Sequence, residues 1–186
     1  DPETVPSQAK KVFVDPGHGC NSGAESGGVR EADLNKEVAR HLIAILEARG
    51  FETKALYSTC ENEYEISDRY EEANEWGADL FVSIHHDAPK NGRQLVFYNP
   101  DGSKGTKSKA LAESVWSELE KLEVESEQAG VLTDDNSNYD YLGALKNTEM
   151  PAVLVEVSRV DDSAYQDDGF AREAANAIAR GIMDYS

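Results

Sequence analysis

A short apolar run that ends abruptly in a turn constrains the fold of this chain most strongly. Residues 12–14 (Val-Phe-Val) have the pattern of a buried β-strand, and the sequence Asp15-Pro-Gly-His-Gly19 stops that strand. The turn leaves the imidazole of His18 at the carboxyl end of the strand. Ligands bind at this edge in open α/β sheets, so we expect a functional site there.

Further strands and helices are predicted to alternate along the chain. This alternation predicts an α/β domain with a mostly parallel sheet covered by helices on both faces, preceded by a flexible segment at residues 1–10. The segments 20–30 and 123–138 are expected to be loops. Strands are expected at residues 11–14, 51–57, 79–84, 94–98, 141–145 and 152–155, and helices at 31–49, from the N-cap Ser67 to Trp76, around 111–122 and around 170–182.

Composition limits the class of protein and its partners. The 186 residues suffice for one domain, and 36 acidic against 18 basic residues give a net charge of −18. Nucleic acids and anionic membranes are not expected as partners, because phosphate binding requires clustered Lys and Arg. The acidity suits either simple solubility or adaptation to high salt. No apolar run reaches the about 18 residues of a membrane span. The polar first ten residues lack a signal-peptide core, as a processed protein also would.

The two cysteines, Cys20 and Cys60, each follow a predicted strand. If these strands are neighbours, the thiols lie at one edge and could form a disulfide, which would indicate an oxidising, extracytoplasmic location. The alternative is two unrelated buried thiols, and their spacing alone does not decide between the two.

Two histidines at the ends of predicted strands indicate a metal site. His18 and His85 each lie just past an apolar strand, and neighbouring parallel strands bring such ends together. A catalytic zinc ion takes three ligands from His, Asp or Glu and keeps one position for water. Glu31, which opens the first predicted helix, can reach the same edge, although Glu in a first turn also serves simply to favour the helix dipole. His41, within that helix, is expected to be structural or exposed.

Three further side chains could complete the site. Consecutive strand residues point to opposite faces, so His86 competes with His85 and only one of them is expected to bind the metal. Asp87 could accept a hydrogen bond from a ligand imidazole. Glu156 follows the buried run 153–155, where burial would raise its pKa and suit it to acid–base catalysis. The alternative is a strand-end Glu that turns into water.

Four segments carry these residues: Asp15-Pro-Gly-His-Gly19, Glu31-Ala-Asp-Leu-Asn35, Ser83-Ile-His-His-Asp-Ala88 and Pro151-Ala-Val-Leu-Val-Glu156. In this order they resemble the motifs of the zinc-dependent N-acetylmuramoyl-L-alanine amidases of the type-3 class. The first three segments resemble the family's metal-ligand motifs, and the fourth resembles the segment with the catalytic Glu. Weaker similarities at 66–74 and 177–182 extend the resemblance over nearly the whole chain.

The resemblance implies a fold, a cofactor and a reaction. It implies a single catalytic α/β domain at residues 11–186 with about six strands in a mostly parallel twisted sheet. It implies one zinc ion bound by His18, Glu31 and His85, with Glu156 as the catalytic residue. The implied reaction is hydrolysis of the amide between N-acetylmuramic acid and the L-alanine of the peptidoglycan stem peptide.

The chain departs from the family pattern near the expected site. Cys20 replaces a usual Gly, Cys60 stands near a usual Arg, and His86 replaces a small residue, so that His86 could line the site or offer an alternative ligand. The run 157–161 after Glu156 differs from the family's usual loop, which leaves the substrate contacts there open.

We therefore expect a monomeric cell-wall hydrolase, with peptidoglycan as its substrate, that is secreted, periplasmic or wall-associated. A phage lysin would stay in the cytoplasm until lysis, and the sequence does not separate an endolysin from an autolysin or a sporulation enzyme. Two other functions stay open: a zinc carboxypeptidase-like peptidase that trims the stem, and a non-catalytic wall-binding or regulatory module. The intact set of His18, Glu31, His85 and Glu156 argues against the second.

Overall fold

The computed structural model describes residues 10–20, 22–136, 142–162 and 167–186, so most of the segment expected to be flexible, residues 1–9, lies outside the described residues. None of the described helices is both long enough and apolar enough to cross a lipid bilayer. The strands are β1 (Lys11–Pro16), β2 (Glu25–Ser26), β3 (Val29–Arg30), β4 (Glu52–Ala55), β5 (Leu80–Asp87), β6 (Arg93–Tyr98), β7 (Glu127–Thr133) and β8 (Ala152–Arg159), and the helices are α1 (Glu31–Ala48), α2 (Ile66–Trp76), α3 (Gly105–Leu119), α4 (Gly143–Asn147) and α5 (Asp168–Tyr185).

Six strands form one sheet in the order β4-β1-β5-β8-β6-β7. The first four of these run parallel to one another, whereas β6 is antiparallel to β8 and parallel to β7. The interior strands β1, β5 and β8 are nearly continuous apolar runs because both of their faces are covered. The predicted α/β fold with about six mostly parallel strands is confirmed.

Helices cover both faces of this sheet. Helices α1, α3 and α5 pack on one face, around buried side chains such as Val82 and Ile178. Helices α2 and α4 cover the other face, where Phe13 stacks on Phe81 with ring centroids 5.7 Å apart. The same strands supply both cores because successive side chains alternate between the two faces.

The start of α2 differs from the sequence-based expectation. Glu65, not Ser67, is the N-cap, and the side chains of Glu65 and Asp68 each accept a hydrogen bond from the other residue's backbone N–H. This reciprocal arrangement satisfies two N–H groups that the first helical turn leaves free, so a serine cap two residues later is unnecessary. The predicted stop is correct, since Gly77 adopts the left-handed conformation with φ 67°.

Three further expectations were wrong. The expected loop at 20–30 contains the antiparallel hairpin of β2 and β3, and the expected loop at 123–138 contains β7. Strand β7 lacks an apolar pattern because it lies at the sheet edge, where every residue stays at least partly exposed. The strand expected near 141–145 is helix α4, with residue 141 outside the described residues. This helix is five residues long and buries only Leu145, which is too little to give a helical pattern.

Candidate active site

The site lies at the carboxyl ends of three adjacent parallel strands, β1, β5 and β8. His85 and Glu156 are direct partners in the ladder between β5 and β8. The sequence had indicated that His85 and Glu156 lie just past the ends of their strands. The two strands in fact continue to Asp87 and Arg159, so both side chains lie within a strand. The turn after β1 carries His18 to the same edge.

The three predicted ligand residues converge on one point. Oε1 of Glu31 lies 3.3 Å from Nε2 of His18 and 2.9 Å from Nδ1 of His85. Ligand-type atoms of all three residues lie within 4.8 Å of one another. This approach requires Gly17, because a Cβ at that position would lie 2.2 Å from Nε2 of His85. One side of the cluster is open, since the side chain of His18 is 31% exposed.

The carboxylate of Glu31 is fixed and ionised. Burial alone would raise its pKa, but hydrogen bonds and charge from His18 and His85 outweigh burial and hold the pKa well below its usual range. Its Oε2 also accepts a hydrogen bond of 2.8 Å from the backbone N–H of Ala24. Glu31 therefore presents a negative charge at a buried position, which suits binding of a cation.

Arg69 of α2 holds the turn that carries His18. Its guanidinium donates to Oδ1 of Asp15 at 2.5 Å and to the carbonyl oxygens of Pro16 and His18 at 2.8 and 3.1 Å. Asp15 also accepts a hydrogen bond of 2.7 Å from the hydroxyl of Ser83. His18 has a φ of 64°, which is uncommon for a residue other than glycine. These hydrogen bonds stabilise that conformation.

A disulfide joins the loop after this turn to the loop after β4. Cys20 and Cys60 are bonded, with their Cα atoms 4.9 Å apart. The hydroxyl of Ser22 donates to the Glu63 carboxylate at 2.5 Å, which connects the same two loops a second time. Of the two alternatives that the sequence left open, the structure contains the bridge.

His86 points to the opposite face of β5, as expected from strand alternation. Its Nδ1 lies 2.8 Å from Oδ1 of Asn35, and Nδ2 of Asn35 lies 3.0 Å from the carbonyl oxygen of Gly17 and 3.4 Å from Oε1 of Glu31. Burial lowers the pKa of His86 to about 4, so its imidazole is neutral at pH 7. His86 is therefore placed to orient Asn35.

Glu156 has the properties of an acid–base group. Its Oε2 is buried and has no hydrogen-bond partner among the described residues. Burial raises the pKa of this carboxyl well above its usual 4.5, and the nearby charges of Glu31 and Asp87 raise it further. The predicted upward shift is thus present, and the alternative of a strand-end Glu simply turned into water is wrong for Oε2.

Among the described residues, Asp87 accepts no hydrogen bond from an imidazole, which differs from the expectation. Its Oδ1 and Oδ2 accept hydrogen bonds of 2.7 and 2.8 Å from the backbone N–H groups of Ala88 and Arg93. The carboxylate is used by the connection between β5 and β6, which begins directly after it. Asp87 therefore fixes the loop beside the site.

The donor set of His18, Glu31 and His85 suits zinc. Two imidazole nitrogens and one carboxylate are typical ligands of a catalytic zinc ion, whereas magnesium and calcium prefer oxygen ligands alone. The described residues contain one other cluster of potential ligands, formed by Glu37, His41 and Asp168. That cluster lies at the surface, where the guanidinium of Arg40 already contacts both carboxylates.

The sequence did not single out four polar residues that support the site: Asp15, Asn35, Arg69 and Ser83. Each lies in or beside a segment that resembled the family, but a motif does not reveal which buried polar groups pair across the sheet. Their presence within those segments was the signal that the sequence offered.

Comparison with known proteins agrees with this geometry. The family model described as N-acetylmuramoyl-L-alanine amidase matches residues 12–184. The endolysin of Bacillus phage SPP1 is 30% identical over 95% of this chain, and the N-acetylmuramoyl-L-alanine amidase LytC of Bacillus subtilis is 30% identical over 97% of it. The solved N-acetylmuramoyl-L-alanine amidase AmiC2 of Nostoc punctiforme has a TM-score of 0.78 and 26% identity, covering 95% of this chain and 96% of that one. The chain spans 66% of the length of the endolysin and 36% of the length of LytC.

Proposed function

This chain belongs to the N-acetylmuramoyl-L-alanine amidase family, and we propose from that premise that it hydrolyses the amide between N-acetylmuramic acid and the L-alanine of the peptidoglycan stem peptide. The observation that carries the proposal is the meeting of His18, Glu31 and His85 at one point, with Glu156 paired beside His85 in the sheet.

One zinc ion would be held by Nε2 of His18, a carboxylate oxygen of Glu31 and Nδ1 of His85. When bound there, zinc would supply Lewis-acid chemistry, which activates a water molecule and polarises the scissile carbonyl. Neighbouring side chains hold these ligands in position, because Asn35 contacts Glu31 and Arg69 fixes the turn that carries His18. The ligands are therefore oriented before substrate arrives.

Glu156 would carry the proton. In its carboxylate form, Glu156 can take a proton from the attacking water, and the resulting carboxylic acid can then give that proton to the leaving nitrogen of L-alanine. The buried, unpartnered Oε2 is available for this role because no described group of the protein competes for it.

An extracytoplasmic location is supported by the disulfide between Cys20 and Cys60, since such bonds persist in oxidising compartments. Two relatives are named as an endolysin and an N-acetylmuramoyl-L-alanine amidase, which agrees with action on the wall. That the protein is a monomer stays a prediction.

Digestion of purified peptidoglycan tests the proposal. The wild type should release whole stem peptides with a free L-alanine amino group, and Glu156→Gln should abolish release while zinc remains bound. Glu113→Gln, an exposed change on α3, is the matched control and should keep full activity. Trimmed stems still attached to glycan would indicate a peptidase, and no release at all would indicate a non-catalytic module. Wild-type activity in Glu156→Gln would contradict the role of that carboxyl.

A further inference from the structure

We propose that Arg93 binds a carboxylate of the substrate and thereby selects stem peptides in which the residue after L-alanine carries a free α-carboxylate. The inference rests on the proposed amidase function, because it concerns the same edge of the sheet. It assigns a specificity-determining role to a residue that no motif indicated.

Strand pairing places Arg93 beside Glu156. Leu95 of β6 is the direct partner of Glu156 in the antiparallel ladder with β8. Side chains two residues apart on a strand share a face, so Arg93 lies on the same face as Glu156 and diagonal to it. Diagonal neighbours are about 7–8 Å apart, which long side chains can span.

The backbone of Arg93 is held in place. Its N–H donates to Oδ2 of Asp87 at 2.8 Å. The preceding Gly92 is buried, and a Cβ there would lie 2.3 Å from the carbonyl oxygen of Ala88, so the chain turns tightly just before Arg93. The side chain of Arg93 therefore starts from a fixed point at the end of the sheet.

The guanidinium of Arg93 differs from the others near this edge because it forms no ion pair with a described residue, although Glu127 is its strand partner on β7. Arg30, Arg69 and Arg159 each form an ion pair with an Asp. Arg93 is half-buried and forms no ion pair within the described parts of the chain. In a chain with 36 acidic residues, a half-buried guanidinium without such a partner is a place for an external anion.

A positive charge at this position also acts on the candidate catalytic group. Burial is the largest cause of the raised pKa of Glu156, and the charge of Arg93 is the one influence that opposes it. The two charged groups are thus close enough to interact, although they form no direct ion pair.

The spacing indicates which carboxylate of the substrate Arg93 meets. The scissile amide must lie at Glu156, so a group one residue further along the stem falls at about the diagonal distance. An α-carboxylate on the residue after L-alanine lies there when that residue is linked onward through its side chain. A guanidinium binds a carboxylate through two parallel hydrogen bonds, whereas a carboxamide lacks the charge and one acceptor. The carboxylate at the far end of the stem offers the same chemistry but lies several residues away.

Three synthetic muramoyl pentapeptides separate these sources. The first carries free carboxylates at the second residue and at the C-terminus, the second has a carboxamide at the second residue only, and the third has a carboxamide at the C-terminus only. Values of kcat/KM are measured for the zinc-loaded wild type, Arg93→Gln, Arg93→Lys and the surface control Arg30→Gln.

We expect the wild type to prefer the first substrate over the second by about 10–100-fold, as a charge-assisted hydrogen bond provides. Arg93→Gln should lose this preference mainly through a higher KM, Arg93→Lys should keep part of it, and Arg30→Gln should keep it all. The third substrate should be cleaved as well as the first.

Several results would overturn the inference. Equal cleavage of the first two substrates by the wild type, or an unchanged preference in Arg93→Gln, would remove the role of Arg93 while leaving the amidase function intact. Discrimination against the third substrate alone would move the recognised carboxylate to the end of the stem and contradict the assignment. If the wild type cleaves none of the three and also fails on whole peptidoglycan, the proposed function is wrong and this inference falls with it.

Discussion

Nδ1 of His86 lies 2.8 Å from Oδ1 of Asn35, and this contact links the core behind the sheet to the carboxylate of Glu31. The amide nitrogen of Asn35 donates to the carbonyl oxygen of Gly17, so its Oδ1 faces His86 and accepts. The proton of the neutral imidazole is therefore on Nδ1. A residue on the far face of β5 thus orients a side chain that contacts a proposed metal ligand.

We expect His86→Ala to weaken zinc binding by about 10–100-fold, because Asn35 loses the donor that fixes its orientation. Competition with a chromophoric chelator measures the affinity. Asn35→Ala and the double variant should show the same loss, since His86 acts through Asn35. Val82→Ala, which opens a cavity on the same face of β5, is the control for a general core defect. An affinity that falls equally in Val82→Ala, or not at all in His86→Ala, would contradict this arrangement.

Arg69→Ala should lower the free energy of unfolding by about 3–5 kcal/mol, because it leaves the carboxylate of Asp15 buried without its partner. Urea denaturation measures the change. Arg40→Ala removes an arginine from ion pairs at the surface and should change stability little. Equal effects of the two substitutions would show that the Asp15 pair has no special importance for the turn.

The pKa of Glu156 predicts a pH-dependent difference in stability. Because the pKa in the folded, metal-free protein lies above 4.5, the folded state keeps a proton that the unfolded state releases as the pH rises. The contribution of the Glu156 carboxyl to the free energy of unfolding is complete below pH 4.5. It is lost as the pH rises toward the pKa of this group in the folded protein. Glu156→Gln does not titrate, so its Tm should exceed that of the wild type increasingly from about pH 4.5 to neutrality. Thermal scans of both metal-free proteins between pH 4 and 8 measure this, and a Tm difference that is constant with pH would refute the shift.

Removal of the disulfide should destabilise the protein. The two cysteines are 40 residues apart in sequence. Closing a loop of that length lowers the entropy of the unfolded chain and stabilises the folded state by about 4 kcal/mol at most. The double variant Cys20→Ala/Cys60→Ala and the reduced wild type should therefore show similarly lowered urea midpoints. An unchanged midpoint in reductant would mean that the bond is absent or without effect in solution.

The buried strands and the site edge were predictable because they follow from local patterns. Apolar runs at 12–14, 80–84 and 152–155 mark buried strands whatever their neighbours are. His85 and Glu156 follow such runs directly, and His18 lies in the turn that ends the first run. Because parallel strands share one carboxyl edge, the convergence of these side chains could be expected from the sequence.

Several of the errors have their physical origin in contacts between residues far apart in the sequence. Strand β7 is held by pairing with β6 rather than by its own composition, and α4 is held by burying Leu145. The hydrogen bonds of Asn35 to His86 and of Arg69 to Asp15 join residues 51 and 54 positions apart, which no local pattern encodes.

Anomalous scattering at the zinc edge from crystals of the zinc-loaded protein tests the central claim most directly. We predict one strong peak bounded by Nε2 of His18, a carboxylate oxygen of Glu31 and Nδ1 of His85. A peak at His86 or at the surface cluster of Glu37, His41 and Asp168, with none between His18 and His85, would contradict the account.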